Sequence, residues 1–244
     1  MNLFIYDDYL KKYPKVTTSI EIALNKLKLN GKIIHLSSIK NIKSIIKEEV
    51  SRGVKTVICV GNNFTVNKII NAIVDDNFSD NHKNTAFGII PVGKNNSIAQ
   101  YFGINDYKEA ANIILSRRLK NIDLPLINKH YFVEKATISN LGTTVKIQNQ
   151  YSITPLKKGK FSIYNLAFCS SQNIYADPND GQLDIYISKK NKKESHLKTN
   201  FLEIDNDRKE LVLIDDFVEI KTPVKIRISK QKINFIVGKN RYFN

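Results

Sequence analysis

The chain has no tryptophan, one methionine, two cysteines and four histidines in 244 residues. Cys59 and Cys169 sit far apart, each in an apolar run. They cannot form the disulfide framework of a small secreted domain, and they predict two buried free thiols in a reducing compartment. His35, His82, His130 and His196 keep no ligand spacing with one another or with a cysteine, so the sequence offers no zinc site. Long apolar runs are missing as well. None approaches the 18 or so residues of a membrane span, and the short run before Asp7-Asp8 is too brief for a signal peptide. The expectation is a soluble, cytoplasmic protein, with peripheral membrane contact left open. Internal repeats, low-complexity linkers and recognisable nucleic-acid modules are also lacking.

What is present is ordinary globular material with an unusual charge. Apolar residues make up 42% and charged residues 25%, enough for a full core in one large domain or two small ones. The formal charge of +15 has two readings. One is an anionic partner: a phosphorylated ligand, nucleic acid or an acidic membrane. The other is a compositional bias toward Lys, Asn and Ile.

Residues 3–6, 32–36, 54–60 and 87–91 read as strands, alternating with helical spacing over 18–29, 41–52, 65–74, 98–102 and 106–118. Gly31 is expected just past the first helix, Asn105 as a helix cap, and 75–84 as a polar loop. This predicts a Rossmann-like three-layer α/β domain over 1–122, a parallel sheet with helices on both faces. Beyond it, 124–128, 130–138, 143–147, 161–169, 182–188, 210–214, 218–220, 224–228 and 233–237 read as strands. They predict an antiparallel β-sandwich over 123–244.

Two turns carry the chemistry. Thr56–Val60 ends at Gly61-Asn62-Asn63-Phe64-Thr65, where an amphipathic segment begins; Phe87–Pro91 ends at Val92-Gly93-Lys94-Asn95-Asn96-Ser97. The first N–H groups and the dipole of a helix placed so favour an anion. The plain alternative for Gly61–Thr65 is an ordinary strand-to-helix turn with Thr65 as cap.

Residues 57–74, VICVGNNFTVNKIINAIV, resemble the first phosphate-loop segment of the diacylglycerol kinase catalytic domain, a hydrophobic strand followed by Gly-Gly-Asp-Gly-Thr. Residues 87–104, FGIIPVGKNNSIAQYFGI, resemble its second motif, Ile-Pro-Leu-Gly-Thr-Gly-Asn-Asp. NIDLPLINKHYF (121–132), NDGQLDIYI (179–187) and LIDDFVEIKTP (213–223) are similar to later segments. The resemblance implies a nucleotide-binding α/β domain, a lipid-kinase fold, ATP with Mg2+, and phosphorylation of a lipid hydroxyl in a cleft between the domains. It assigns Gly61, Asn62, Asn63, Thr65, Gly93, Lys94 and Asn96 to the cofactor.

The motifs are degenerate. Asn62 and Phe64 replace glycines, and Asn63 stands where the family has its aspartate. In the second loop Lys94, Asn95 and Ser97 replace Thr, Gly and Asp. Asp215 matches the last motif, but Asp216 and Phe217 replace Gly and Glu. Asp7-Asp8 stands for Asn-Pro, and the Gly-rich segment shortens to 170–175. A bulky residue forced to positive φ would cost roughly 1–2 kcal/mol, and loss of a general base about 10²–10⁴ in rate. Asp7, Asp8, Asp180, Asp184, Asp215 and Asp216 are candidate substitutes, although Asp180-Gly181 also reads as a hairpin turn. The sequence therefore leaves three functions open: a lipid kinase, a non-catalytic nucleotide-, lipid- or protein-binding module, and a basic RNA-binding protein. The lysine runs 157–160 and 189–193 are solvated loops or a face for anionic lipid.

Overall fold

The computed structural model describes residues 1–36, 41–74, 85–156, 158–170, 174–189 and 192–243. The loop expected at 75–84 and residues 171–173 of the shortened segment lie outside them. So do Lys157, Lys190 and Asn191 of the lysine runs. The chain divides into two compact units, 1–122 with 232–243, and 123–231. In chain order the first unit supplies β1 (Asn2–Tyr6), a 3-10 helix (Asp8–Lys12), α1 (Pro14–Lys26), β2 (Gly31–His35), α2 (Ile42–Ser51), β3 (Thr56–Gly61) and α3 (Asn63–Ile73). Then come β4 (Ala86–Pro91), α4 (Ser97–Tyr101), α5 (Tyr107–Ser116) and the start of β5 (Leu119–Ile127).

The second unit holds the rest of β5, then β6 (His130–Tyr131), β7 (Lys135–Ser139), β8 (Thr143–Ile147), β9 (Tyr151–Ile153) and β10 (Lys160–Tyr164). A two-stranded ribbon follows, β11 (Ala167–Cys169) with β12 (Ile174–Ala176). Next are β13 (Leu183–Lys189), β14 (Lys192–Thr199), β15 (Phe201–Asn206), β16 (Leu211–Ile214), β17 (Val218–Lys221) and most of β18 (Val224–Ile236). One layer runs β18-β15-β8-β9 and the other β14-β13-β10-β7-β16-β17. Inward-facing Phe132, Val145, Phe161, Ile163, Leu183, Ile185, Leu202 and Val212 fill the space between them, as alternating strand positions should.

In the first unit β2-β1-β3-β4 are parallel neighbours, and the end of β18 adds beside β4, with Asn234 opposite Ala86. Val57 to Val60 are fully buried, so β3 is covered on both faces. Helices α2 and α3 pack together, as do α1 and α5.

The sequence boundaries shift in several places. Residues 232–243 group with the first unit because Phe235 packs on Phe102 at 4.4 Å and on Phe87 at 5.1 Å, and Phe243 meets Phe102 at 5.5 Å. Helix α1 starts at Pro14, the position where proline's missing N–H costs nothing. Gly31 opens β2 instead of closing α1, and a Cβ there would lie 2.4 Å from the Asn2 carbonyl oxygen. The cap of α5 is Asp106, whose carboxylate accepts from the N–H groups of Lys108 and Glu109, and not Asn105. Neither cysteine forms a disulfide; Cys59 is buried as expected, but Cys169 is only half-buried.

Candidate functional site

The first turn is built on β3 and α3. Helix α3 begins at Asn63, earlier than the pattern suggested, because Asn62 caps it. The Asn62 Oδ1 accepts from the Thr65 N–H at 3.3 Å, and Thr65 Oγ1 accepts in return from the Asn62 N–H at 3.4 Å. Gly61 is needed for close approach, not for unusual φ: a Cβ there would lie 2.5 Å from Thr65 Oγ1. Phe64 has no positive φ; it rides in the first turn of α3, 48% exposed, so the strain conditionally expected there is not incurred.

Thr65 Oγ1 donates to Asp7 Oδ2 at 2.5 Å, and Asp7 Oδ1 accepts from the Tyr9 N–H at 3.2 Å. The Asp7 N–H donates to Val60 O, which brings the end of β1 beside the turn. In the sequence Asp7 is one of several candidate acids; its pairing with Thr65 depends on parallel β1–β3 register, which no local pattern encodes.

Asn63 joins the two turns. It is 4% exposed, its N–H donates to Asn95 O at 2.9 Å, its Nδ2 donates to Ser97 Oγ at 2.7 Å, and its Oδ1 accepts from the Ile98 N–H at 3.2 Å. The backbone donors of Asn62, Asn63, Thr65 and Val66 are therefore satisfied within the chain, the last by Asn62 O.

In the second turn Gly93 takes φ +79°, and a Cβ would press on the Tyr9 ring at 3.2 Å. The Tyr9 hydroxyl donates to Val92 O at 2.5 Å, and burial, with Cys59 and Asp7 nearby, pushes its phenol well above the usual range. Asn96 Nδ2 donates to Gly93 O at 2.9 Å, within its own loop. Lys94 is exposed at the tip.

The candidate acids of the second unit have structural partners. Asp215 is 1% exposed and accepts from the N–H groups of Val133, Glu134 and Lys135 at 3.0–3.1 Å. It shares a tight β16–β17 turn with Asp216, at φ 46° and 69°, closed by the Phe217 N–H donating to Ile214 O at 3.0 Å. Such mirror-image turns suit a two-residue hairpin. Half-buried Phe217 therefore occupies a turn position. Asp216 pairs with Lys135 Nζ at 2.7 Å. Burial works against the Lys135 ammonium, but Glu134 and Asp216 outweigh it and raise its pKa above the ordinary lysine value. Asp180 accepts from Lys198 Nζ at 2.7 Å and from the Gln182 N–H at 2.9 Å, and Gly181 follows at φ +73°. Asp8 opens the 3-10 helix.

One pair is not legible in the sequence. Buried Asp184 meets His196 Nε2 at 2.5 Å, and the His196 ring stacks on Tyr186 at 4.4 Å between centroids and 8° between planes. Burial pushes the Asp184 carboxyl up against the opposing pull of His196 and Lys198. The signal was register: β13 and β14 pair Tyr186 with His196 and Asp184 with Lys198. Among the described residues no three His, Cys, Asp or Glu side chains come together as a metal site would require, and no helix is long and apolar enough to cross a membrane.

Comparison with known proteins finds similarity to one family over part of the chain. Residues 10–127 match the diacylglycerol kinase catalytic domain. The chain is similar to the "Probable lipid kinase YegS-like" protein of Alcanivorax borkumensis, 27% identical over 114 residues, 47% of this chain and 36% of that protein. The protein of the same name from Enterobacter sp. strain 638 is 30% identical over 128 residues, 50% of this chain and 42% of that one. The chain thus matches less than half the length of these curated relatives. Two solved structures from Bacillus anthracis strain Sterne, a diacylglycerol kinase and a putative one, share the fold. Their TM-scores are 0.77 and 0.78, at 19% and 18% identity, each covering 98% of this chain and 97% of the other.

Proposed function

We propose that this chain, whose residues 10–127 match the diacylglycerol kinase catalytic domain, keeps that family's scaffold without phosphate transfer. In this reading it is a binding module for a phosphate-bearing ligand, a nucleotide or a lipid headgroup. The observation that carries the reading is Asn63. At the position of the family's aspartate stands a buried amide whose two polar atoms are spent on Ser97 and Ile98. An amide cannot accept a proton at neutral pH or supply anionic charge to a metal.

Family resemblance implies ATP and a divalent metal in general terms. The first loop here fits them poorly. A phosphate seated on α3 would have to displace Asn95 O from the Asn63 N–H and Asn62 Oδ1 from the Thr65 N–H. We assign no transfer step to that loop. What the second loop offers is one exposed cation, Lys94, beside a backbone that Gly93 lets turn. Asp215, with three backbone donors, is a structural anchor and not a proton acceptor.

A second reading has one observation behind it. Asp7 accepts the Thr65 hydroxyl and stands at the turn, so it is the acid that would serve an active enzyme. Transfer of radiolabelled phosphate from magnesium ATP to diacylglycerol in mixed micelles separates the two. The module predicts no labelled lipid, together with thermal stabilisation by ATP that Lys94→Ala weakens; saturation at 100 times Kd would add about 2.7 kcal/mol. Labelled lipid that disappears in Asp7→Asn would overturn it in favour of the kinase.

A further inference from the structure

The strongest unexplained surface lies at one end of the second unit. Leu156 is 98% exposed, an aliphatic side chain with almost no protein contact. It precedes Lys158 and Lys160, both exposed, in the connection from β9 to β10. The fold brings this connection against the end of β13. Lys160 pairs with Ser188, and a Cβ on Gly159 would collide with the Ser188 carbonyl oxygen. Half-buried Lys189 follows directly, paired with Lys192 across the β13–β14 hairpin. The β7–β8 turn completes the patch. Asn140 donates its N–H to Gly159 O at 3.0 Å and its Nδ2 to Ser188 O at 3.4 Å, and neighbouring Leu141 is 43% exposed. The Asp207 carboxylate lies near Gly142 in that turn and offsets only part of the lysine charge.

Two lysine segments far apart in sequence thus converge, with an exposed leucine two residues before Lys158. We propose that this end of the second unit docks on an anionic lipid bilayer, Leu156 entering the headgroup–acyl boundary and Lys158, Lys160 and Lys189 facing lipid phosphates. Charge complementarity argues for an anionic partner, and the leucine decides which. A nucleic-acid surface gains from arginine forks and aromatic stacking, and neither segment contains an arginine or an aromatic residue. An exposed aliphatic side chain among lysines instead gains by leaving water at an interface. The inference is independent of whether the chain transfers phosphate.

The test is co-sedimentation of the full chain with phosphatidylcholine vesicles, with and without phosphatidylserine and free of diacylglycerol. We expect binding to the anionic vesicles only, weakened by salt. Lys158→Glu with Lys160→Glu should lower partitioning at least on the order of 20-fold, and Leu156→Asn roughly ten-fold. A control with the same charge change on exposed α1 positions, Lys15→Glu with Lys26→Glu, should bind as the parent does. All three variants alter exposed side chains, and their melting temperatures report whether the fold is intact. Equal binding to neutral vesicles, no binding, or an equal loss in the control would each overturn the proposal. RNA binding lost in the loop variants, without vesicle binding, would reassign the surface to nucleic acid.

Discussion

Replacing Asn63 with alanine removes the amide that holds the two turns together. The buried Ile98 N–H loses its acceptor, which costs about 1–3 kcal/mol, and loss of the Nδ2 bond to Ser97 adds about 1 kcal/mol. The sum is roughly 2–4 kcal/mol, and at about 2–4 °C per kcal/mol the unfolding transition of the first unit should fall by roughly 4–16 °C. Asn63→Asp should behave differently. It keeps an oxygen for Ile98, the Ser97 hydroxyl can turn to donate, and a carboxylate in the first turn of α3 is favoured by the helix dipole. Its cost should stay under about 1 kcal/mol. Calorimetry on the two variants checks this. An alanine variant that melts with the parent, or an aspartate variant as unstable as alanine, would refute the assignment of Asn63 as a structural bridge.

Three further perturbations probe other parts of the account. Asp215→Ala leaves three backbone N–H groups without their acceptor and should cost about 4 kcal/mol or more in urea unfolding, with Asp215→Asn intermediate because it retains one oxygen. Thr65→Ala breaks both the bond to Asp7 and the reciprocal cap with Asn62 and should cost about 2–3 kcal/mol, whereas Thr65→Ser, which keeps the hydroxyl, should cost under half of that by the same melting assay. Glu49 is 2% exposed, and the hydrogen bond from Lys32 at 2.6 Å, with Arg52 alongside, holds its carboxyl below the usual glutamate range. Its contribution is complete above the ordinary glutamate pKa and fades as pH falls through the lowered folded value. Glu49→Gln should therefore flatten the acid side of the stability profile, and an unchanged profile would contradict the pairing.

Much of the architecture was legible because periodicity is local. Strand runs such as Val57–Val60 and helical spacing through Ile69, Ile70 and Ile73 declare themselves within a few residues. What failed to read was polar or distant. Strand β14, Lys192–Thr199, has no apolar alternation, being held by its pairing with β13. Strand β18 read as two pieces because Ser229 to Lys232 is polar, yet its backbone ladder continues. The start of α3 was misplaced because Asn62-Asn63 reads as loop until the reciprocal cap with Thr65 is seen.

The candidate site divides in the same way. Its expected location rests on two motif-bearing turns. The roles of its residues depend on partners distant in sequence: Asp7 with Thr65, 58 residues on, Asn63 with Ile98, 35 on, and Asp215 with Val133, 82 back. Whether an acid is a base or a structural anchor is decided by those contacts. Asp215 is held by three N–H donors, which supports the anchor reading; for Asp7 the Thr65 hydroxyl leaves the alternative that phosphate-transfer assays address.

The claim at the centre is that the Asn62, Asn63, Thr65 and Val66 backbone donors of the first turn are spent on the chain's own acceptors. Amide NMR of the Asn63, Thr65 and Ile98 N–H groups, recorded as magnesium ATP is added, reads those donors directly. The account predicts that all three resonances stay in place and remain protected from hydrogen exchange, while signals around Lys94 move. Large shifts at Asn63 and Thr65 on ATP addition would contradict it, because a phosphate would then have taken the place of Asn95 O and Asn62 Oδ1.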